Sequence, residues 1–169
     1  VTLIRQMNGG VYSARNVGIA QATYDYIAFL DADDYWHPNY LEAMSRGILV
    51  FPETGIFGSS YGFKAEDLHD NGSGFKLIEG YFEKAIHNTL LFTSATVVKK
   101  SFFEPNRGFK PNLKRGEDLD VWFRTILQYG NPAYCFDRLV FYEKGDIQSA
   151  TKRAFSVTHA LVSEILNID

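Results

Sequence analysis

The chain has 169 residues, of which 46% are hydrophobic and 22% charged, and its formal net charge is −3. These values are typical of one globular domain with a substantial core. Because the net charge is negative and the sequence contains no basic block, nucleic acid is disfavoured as the main partner. No apolar run is long enough for a membrane-spanning helix, and the single cysteine, Cys135, excludes a disulfide within the chain and fits a reducing compartment.

Predicted strands and helices alternate over the first fifty residues. The apolar run Val1 to Ile4 predicts a strand, and Ser13 to Ala22 predicts a short helix. Tyr26 to Leu30 predicts a buried strand of a parallel sheet, followed by a helix over Pro38 to Leu49. Because strand–helix alternation is the signature of a parallel sheet, we predict an α/β domain.

Three carboxylates, Asp31, Asp33 and Asp34, follow the predicted strand at Tyr26 to Leu30. Open α/β folds bind ligands at the carboxyl ends of their strands, and a hard divalent cation favours oxygen ligands, especially when substrate phosphates share its shell. The cluster therefore indicates a metal-assisted site for a phosphorylated donor. The alternative is a turn in which Asp34 or His37 caps the next helix.

The predicted elements after residue 50 are more varied. Asn71 to Gly74 predicts a hairpin or loop tip, from which Phe75 to Ile78 pairs back as a returning strand. The other predictions are strands over 55–61, 93–98 and 134–141, a helix that buries Trp122, and a terminal helix over 151–168.

A second acidic group, Glu117 and Asp118, opens the predicted helix that contains Trp122. Acids in a first helical turn interact favourably with the helix dipole, so capping explains them locally. Considered with the first cluster, they indicate a general base that deprotonates an acceptor hydroxyl. Asp120 and Arg124, four residues apart, predict an exposed ion pair.

Three motifs follow one another along the chain: Asn8-Gly9-Gly10 followed by Ser13-Ala14-Arg15-Asn16, then Asp31-Ala32-Asp33-Asp34, then Gly116-Glu117-Asp118. In this order they resemble the motifs of the family 2 glycosyltransferases, which have the GT-A fold. The segment Thr93 to Val98 resembles that family's acceptor-side segment, and the resemblance extends from Val1 to about Phe141. The resemblance implies a mostly parallel sheet flanked by helices.

The resemblance implies an inverting transfer of a sugar from a nucleotide-sugar to an acceptor hydroxyl, in bacterial cell-surface polysaccharide synthesis. Asp31 and Asp33 are then the pair that binds Mn²⁺ or Mg²⁺, with Asp33 the direct ligand. Asp118 is the base, and Glu117 orients the acceptor or a loop. Arg15 contacts the nucleotide half of the donor, or is a surface cation.

The same resemblance implies the partners and their place in the cell. The donor is a nucleotide-sugar, the acceptor is a saccharide or a lipid-linked saccharide, and nucleic acid is not a partner. We expect a cytoplasmic enzyme, with peripheral association at the inner face of the membrane as an open alternative.

Members of this family normally begin with two further strand–helix units that bind base and ribose, and this sequence matches neither. We therefore expect residues 1–169 to form a single domain that lacks these strands, exposes apolar surface near Val1, and by itself binds nucleotide-sugar weakly. One alternative is a non-catalytic carbohydrate-binding or assembly domain on a degenerate scaffold. Another, a phosphoryl or nucleotidyl transferase, would need a Gly-rich loop with an adjacent lysine, which Asn8-Gly9-Gly10 lacks.

Overall fold

The computed structural model describes residues 1–88, 90–106, 108–111, 113 and 115–143, so the helix predicted over 151–168 lies outside the described residues. No helix in these ranges is long and apolar enough to span a membrane. The helices are α1 (Val11–Gln21), α2 (Tyr40–Val50), α3 (Tyr81–Ala85) and α4 (Glu117–Tyr129). The strands are β1 (Tyr26–Ala28), β2 (Tyr35–Trp36), β3 (Ile56–Gly62), β4 (Phe75–Leu77), β5 (Thr96–Lys99) and β6 (Ala133–Phe141).

The strands form one mixed sheet in the order β1-β5-β3-β6-β2, and β4 also pairs with β6. β3 and β6 are parallel, whereas the other pairs in the described sheet are antiparallel. The predicted α/β class is therefore confirmed, but the expectation of mostly parallel pairing is wrong for this part of the chain. An apolar run indicates that a strand is at least partly buried, but it does not reveal the direction of the neighbouring strand.

The start of the chain differs from the prediction. Residues 1–10 form no strand or helix, and Val1, Leu3 and Ile4 are exposed. β1 pairs with β5, and its other edge has no strand partner among the described residues, so β1 is not a central strand here. An apolar segment becomes a strand only when its backbone groups find a partner. A cleft of about 580 Å³ lies between α1 and β1 at this edge.

The returning strand β4 pairs with β6 rather than with β3. The buried Asp137 carboxylate on β6 explains this, because it accepts hydrogen bonds from the backbone N–H groups of Asn71 (3.1 Å) and Ser73 (3.0 Å) and from the Ser73 hydroxyl (2.6 Å). These bonds hold the loop before β4 against β6. The ring of Phe75 then packs on Gly47 of α2, where a side chain would collide with it.

The aromatic core sets the relative position of the two acidic motifs. Trp122 is fully buried on α4, as predicted, and its ring lies 5.8 Å from that of Phe29 and 6.2 Å from that of Phe109, measured between centroids. Phe29 is two residues before Asp31, and α4 begins at Glu117. Packing of α4 on Phe29 therefore brings the start of α4 to the acidic loop after β1.

Candidate active site

Arg15 joins all three sequence motifs. Its Nη2 atom lies 2.8 Å from Oδ1 and 3.2 Å from Oδ2 of Asp31, and its Nη1 atom lies 3.4 Å from Oε1 of Glu117. The side chain is only 12% exposed, and its guanidinium lies 5.2 Å from the centre of the Phe109 ring. The structure thus brings together Arg15, Asp31 and Glu117, which the sequence analysis assigned to separate motifs.

Asp34 anchors the acidic loop. Its Oδ2 accepts a hydrogen bond from the Ser94 hydroxyl (2.5 Å), and its Oδ1 accepts one from the backbone N–H of Glu143 (3.0 Å). The Ser94 oxygen in turn accepts the backbone N–H of Asp31 (3.0 Å). Burial raises the pKa of Asp34, and the hydrogen bonds from the Ser94 hydroxyl and the Glu143 N–H oppose that rise. Asp34 does not cap α2, because this helix begins at Tyr40 with Asn39 at its N-cap position, whereas Nδ1 of His37 accepts the backbone N–H of Asn39 (3.2 Å).

Asp33 is the acid of this loop that remains available to a ligand. It is exposed, and within the described ranges it makes no hydrogen bond or ion pair, whereas the Asp31 side chain is 37% exposed and paired with Arg15. No group of three or more His, Cys, Asp or Glu residues in the described part of the chain could hold a metal ion by itself. The two carboxylates of Asp33 and Asp31 fit a cation such as Mg²⁺, which is commonly held by one or two carboxylates together with substrate phosphates.

Asp118 is held at the start of α4 with its carboxylate half-buried. Its Oδ2 accepts a hydrogen bond from the Thr93 hydroxyl (3.1 Å), and its Oδ1 accepts one from the backbone N–H of Leu119 (2.8 Å). Burial raises the pKa of the neighbouring Glu117, and the Asp118 charge adds to this, whereas Arg15 lowers it. The two acids therefore face different partners: Glu117 contacts Arg15, and Asp118 contacts Thr93.

The predicted ion pair between Asp120 and Arg124 forms, but it is not exposed. Asp120 is only 6% exposed, and its carboxylate lies 2.6 Å from Nη2 of Arg124 and 2.8 Å from Nζ of Lys110. Arg124 also donates to the backbone oxygen of Gly108 (2.7 Å). The i,i+4 spacing identified the pair, but burial depends on the loop around Gly108, which packs on α4.

Asn16 holds α1 against the loop that contains Gly108 and Phe109. Its Nδ2 donates to the backbone oxygen of Phe109, and its Oδ1 accepts the backbone N–H of Phe109, both at 2.8 Å. The sequence motif contains Asn16, but only the structure shows this role. Thr93 and Ser94 were likewise missed as individual site residues; their hydroxyl groups, at the start of the strand predicted over 93–98, were the available signal. The Trp36 ring stacks on the ring of Tyr40, with centroids 4.5 Å apart, and its indole N–H donates to the Ser94 carbonyl oxygen (2.7 Å).

Replacing Asn16 with alanine should destabilise the fold by about 2 kcal/mol, because it leaves both the N–H and the C=O of Phe109 without a protein partner. Asn131→Ala is the matched control, since it removes an exposed bond to Glu79 and should change stability by less than about 0.5 kcal/mol. Urea unfolding of both variants measures the difference. Equal midpoints and slopes for the two variants would show that Asn16 does not fasten α1.

A sequence model of the family described as "Glycosyl transferase family 2" matches residues 1–106. The succinoglycan biosynthesis protein ExoW of Rhizobium meliloti (strain 1021) is 51% identical over 141 residues, covering 73% of this chain and 44% of ExoW. The minor teichoic acid biosynthesis protein GgaB of Bacillus subtilis (strain 168) is 30% identical over 130 residues, covering 72% of this chain and 14% of GgaB. The chain thus spans less than half the length of these relatives.

A likeness to solved structures is found as well. The crystal structure of S. aureus TarS in complex with UDP-GlcNAc superposes with a TM-score of 0.64 at 18% sequence identity, covering 87% of this chain and 42% of the TarS chain. At this identity the likeness shows the fold, and it confirms the predicted GT-A architecture.

Proposed function

Because the chain belongs to glycosyl transferase family 2, we propose that the protein that contains it moves a sugar from a nucleotide-sugar to a hydroxyl group of an acceptor glycan, with inversion at the anomeric carbon. The main support is Arg15, whose ion pairs to Asp31 and Glu117 bring the acidic loop and the start of α4 to one place. The names of ExoW and GgaB support a role in bacterial cell-surface polysaccharide synthesis.

On the donor side, Asp33 would hold Mn²⁺ or Mg²⁺ together with the diphosphate of the nucleotide-sugar. When bound, such an ion neutralises the negative charge that develops on the leaving diphosphate. Asp31 would support this site while paired with Arg15, because the guanidinium already partly balances the charge of the Asp31 carboxylate. We therefore propose Arg15 as a positioning residue as well as a contact of the donor.

On the acceptor side, Asp118 would take the proton from the attacking hydroxyl. The new bond forms between that hydroxyl oxygen and the anomeric carbon, the bond from this carbon to the diphosphate oxygen breaks, and its electron pair leaves with the diphosphate. The Thr93 hydroxyl fixes one carboxylate oxygen of Asp118. Glu117 would orient the start of α4 through Arg15 rather than accept the proton.

Release of nucleoside diphosphate tests this proposal. We expect the protein that contains this sequence to release UDP, GDP or dTDP from one member of a panel of nucleotide-sugars in the presence of Mn²⁺ and an acceptor glycan, and we expect EDTA to stop the release. Donor or glycan binding without turnover of any panel member would instead identify a non-catalytic carbohydrate-binding domain.

A further inference from the structure

Four aromatic side chains meet beside the candidate active site, and we call them the aromatic surface. Tyr61 lies near the end of β3, Phe63 follows that strand, Phe92 precedes a short turn before β5, and Tyr142 follows β6. The ring centroid of Tyr61 lies 5.2 Å from that of Phe92 and 5.5 Å from that of Phe63. The centroids of Phe92 and Tyr142 are 4.4 Å apart. Segments distant in sequence thus form one continuous group of rings.

The aromatic surface is supported by the core but not covered by it. Tyr61 and Phe92 pack against the buried cluster that contains Phe57, which holds their rings in place. Phe63 is 44% exposed, while Tyr61, Phe92 and Tyr142 are half-buried. Aromatic rings that serve only the core are normally covered, because each can bury about 150–250 Å² of surface. Adjacent rings that remain partly open indicate a contact surface.

Phe92 connects the aromatic surface to the segment that holds the proposed base. Thr93 directly follows Phe92, and its hydroxyl donates the 3.1 Å hydrogen bond to Asp118. The backbone between Phe92 and Thr93 therefore links the aromatic surface to the segment that holds the carboxylate that we assign to proton removal.

Tyr142 links the same group of rings to the acidic loop. Glu143 directly follows Tyr142, and its backbone N–H donates to the Asp34 carboxylate at 3.0 Å. Burial raises the pKa of the Tyr142 phenol, and the charges of Asp34, Asp33 and Asp31 add to this effect, so the phenol lies within the field of the loop. The aromatic surface is thus linked through neighbouring residues to both the acidic loop and the base.

The chemistry of this surface selects among ligands. Sugar rings combine an apolar C–H face, which packs on aromatic rings, with hydroxyl groups that can bond to the phenols of Tyr61 and Tyr142. None of the four rings carries a charge, so they offer an anionic sugar no ionic partner. We propose that the aromatic surface binds an uncharged sugar ring of the acceptor glycan and so presents the acceptor hydroxyl to Asp118. This inference rests on the proposed function.

Titration with neutral tetrasaccharides tests the inference. The probes are cellotetraose, maltotetraose, β-1,4-mannotetraose and β-1,4-galactotetraose, with tetragalacturonate as the charged counterpart, and binding is measured by calorimetry and saturation-transfer NMR. We expect at least one neutral probe to bind and the charged one to bind more weakly. Phe63→Ala and Tyr142→Ala should each weaken binding of the neutral probe about two- to tenfold. Phe136→Ala, at a 55% exposed ring outside the surface, should not.

Folding and donor binding are followed in the same variants, by circular dichroism and by titration with nucleotide-sugar. Phe63→Leu, which keeps apolar volume without a ring, provides a second test if Tyr142→Ala does not fold. The inference is overturned if no neutral probe binds, if the charged probe binds best, or if Phe63→Ala changes the oligomeric state but not glycan binding. Retained donor turnover in those cases would leave the proposed function intact, whereas loss of donor turnover in the unmodified protein would count against the function itself.

Discussion

Replacing Asp118 with asparagine is expected to lower turnover about 10²–10⁴-fold and to leave donor affinity nearly unchanged. The substitution keeps the size of the side chain, and its amide oxygen can still accept the Leu119 N–H while its amide N–H donates to the Thr93 hydroxyl oxygen, but it removes the group that accepts the proton. Initial rates of nucleoside diphosphate release, combined with donor titration by calorimetry, measure both quantities.

Two companion variants make the Asp118 experiment specific. Asp25→Asn changes an exposed acid at the opposite end of β1 and should behave like the unmodified protein. Glu117→Gln should weaken the ion pair with Arg15 and reduce donor affinity more than Asp118→Asn does. If Glu117→Gln instead lowers the rate with donor affinity intact, while Asp118→Asn has normal turnover, the base is Glu117, whose pKa is raised by burial.

Replacing Asp33 with alanine is expected to remove the Mn²⁺-dependent part of donor binding. Even residues that only support a metal ligand typically contribute about 10–100-fold to affinity, so loss of a direct ligand should cost at least about tenfold. Asp33 is exposed and makes no contact that stabilises the described fold, so the variant should fold normally. Calorimetric titration with a nucleotide-sugar, with and without Mn²⁺, separates the metal-dependent contribution from the rest.

Control variants identify which carboxylate of the loop binds the ion. Glu66→Ala changes an exposed acid on a short turn after β3 and should keep the full Mn²⁺ dependence. Asp31→Ala leaves the Arg15 guanidinium without one of its partners and should weaken donor binding both with and without Mn²⁺. Unchanged Mn²⁺ dependence in Asp33→Ala, together with its loss in Asp31→Ala, would assign the ligand role to Asp31.

Local patterns in the sequence determined most element types. The helices at Val11–Gln21, Tyr40–Val50 and Glu117–Tyr129 lie within a few residues of where apolar spacing and flanking residues placed them. Burial of Trp122 followed from the same spacing. These properties are readable because helical periodicity and strand-like apolar runs are encoded in neighbouring residues. The order of the three motifs was also sufficient to indicate the family.

The tertiary structure alone decided strand direction and the partners of the polar residues. Nothing near Phe75 in sequence indicates that β4 pairs with β6, because that pairing depends on the distant Asp137 carboxylate. The contact between Arg15 and Glu117 joins residues 102 positions apart, and Asp34 acts as an anchor through Ser94 rather than as a helix cap. Such contacts form when packing brings remote segments together, so no local pattern contains them.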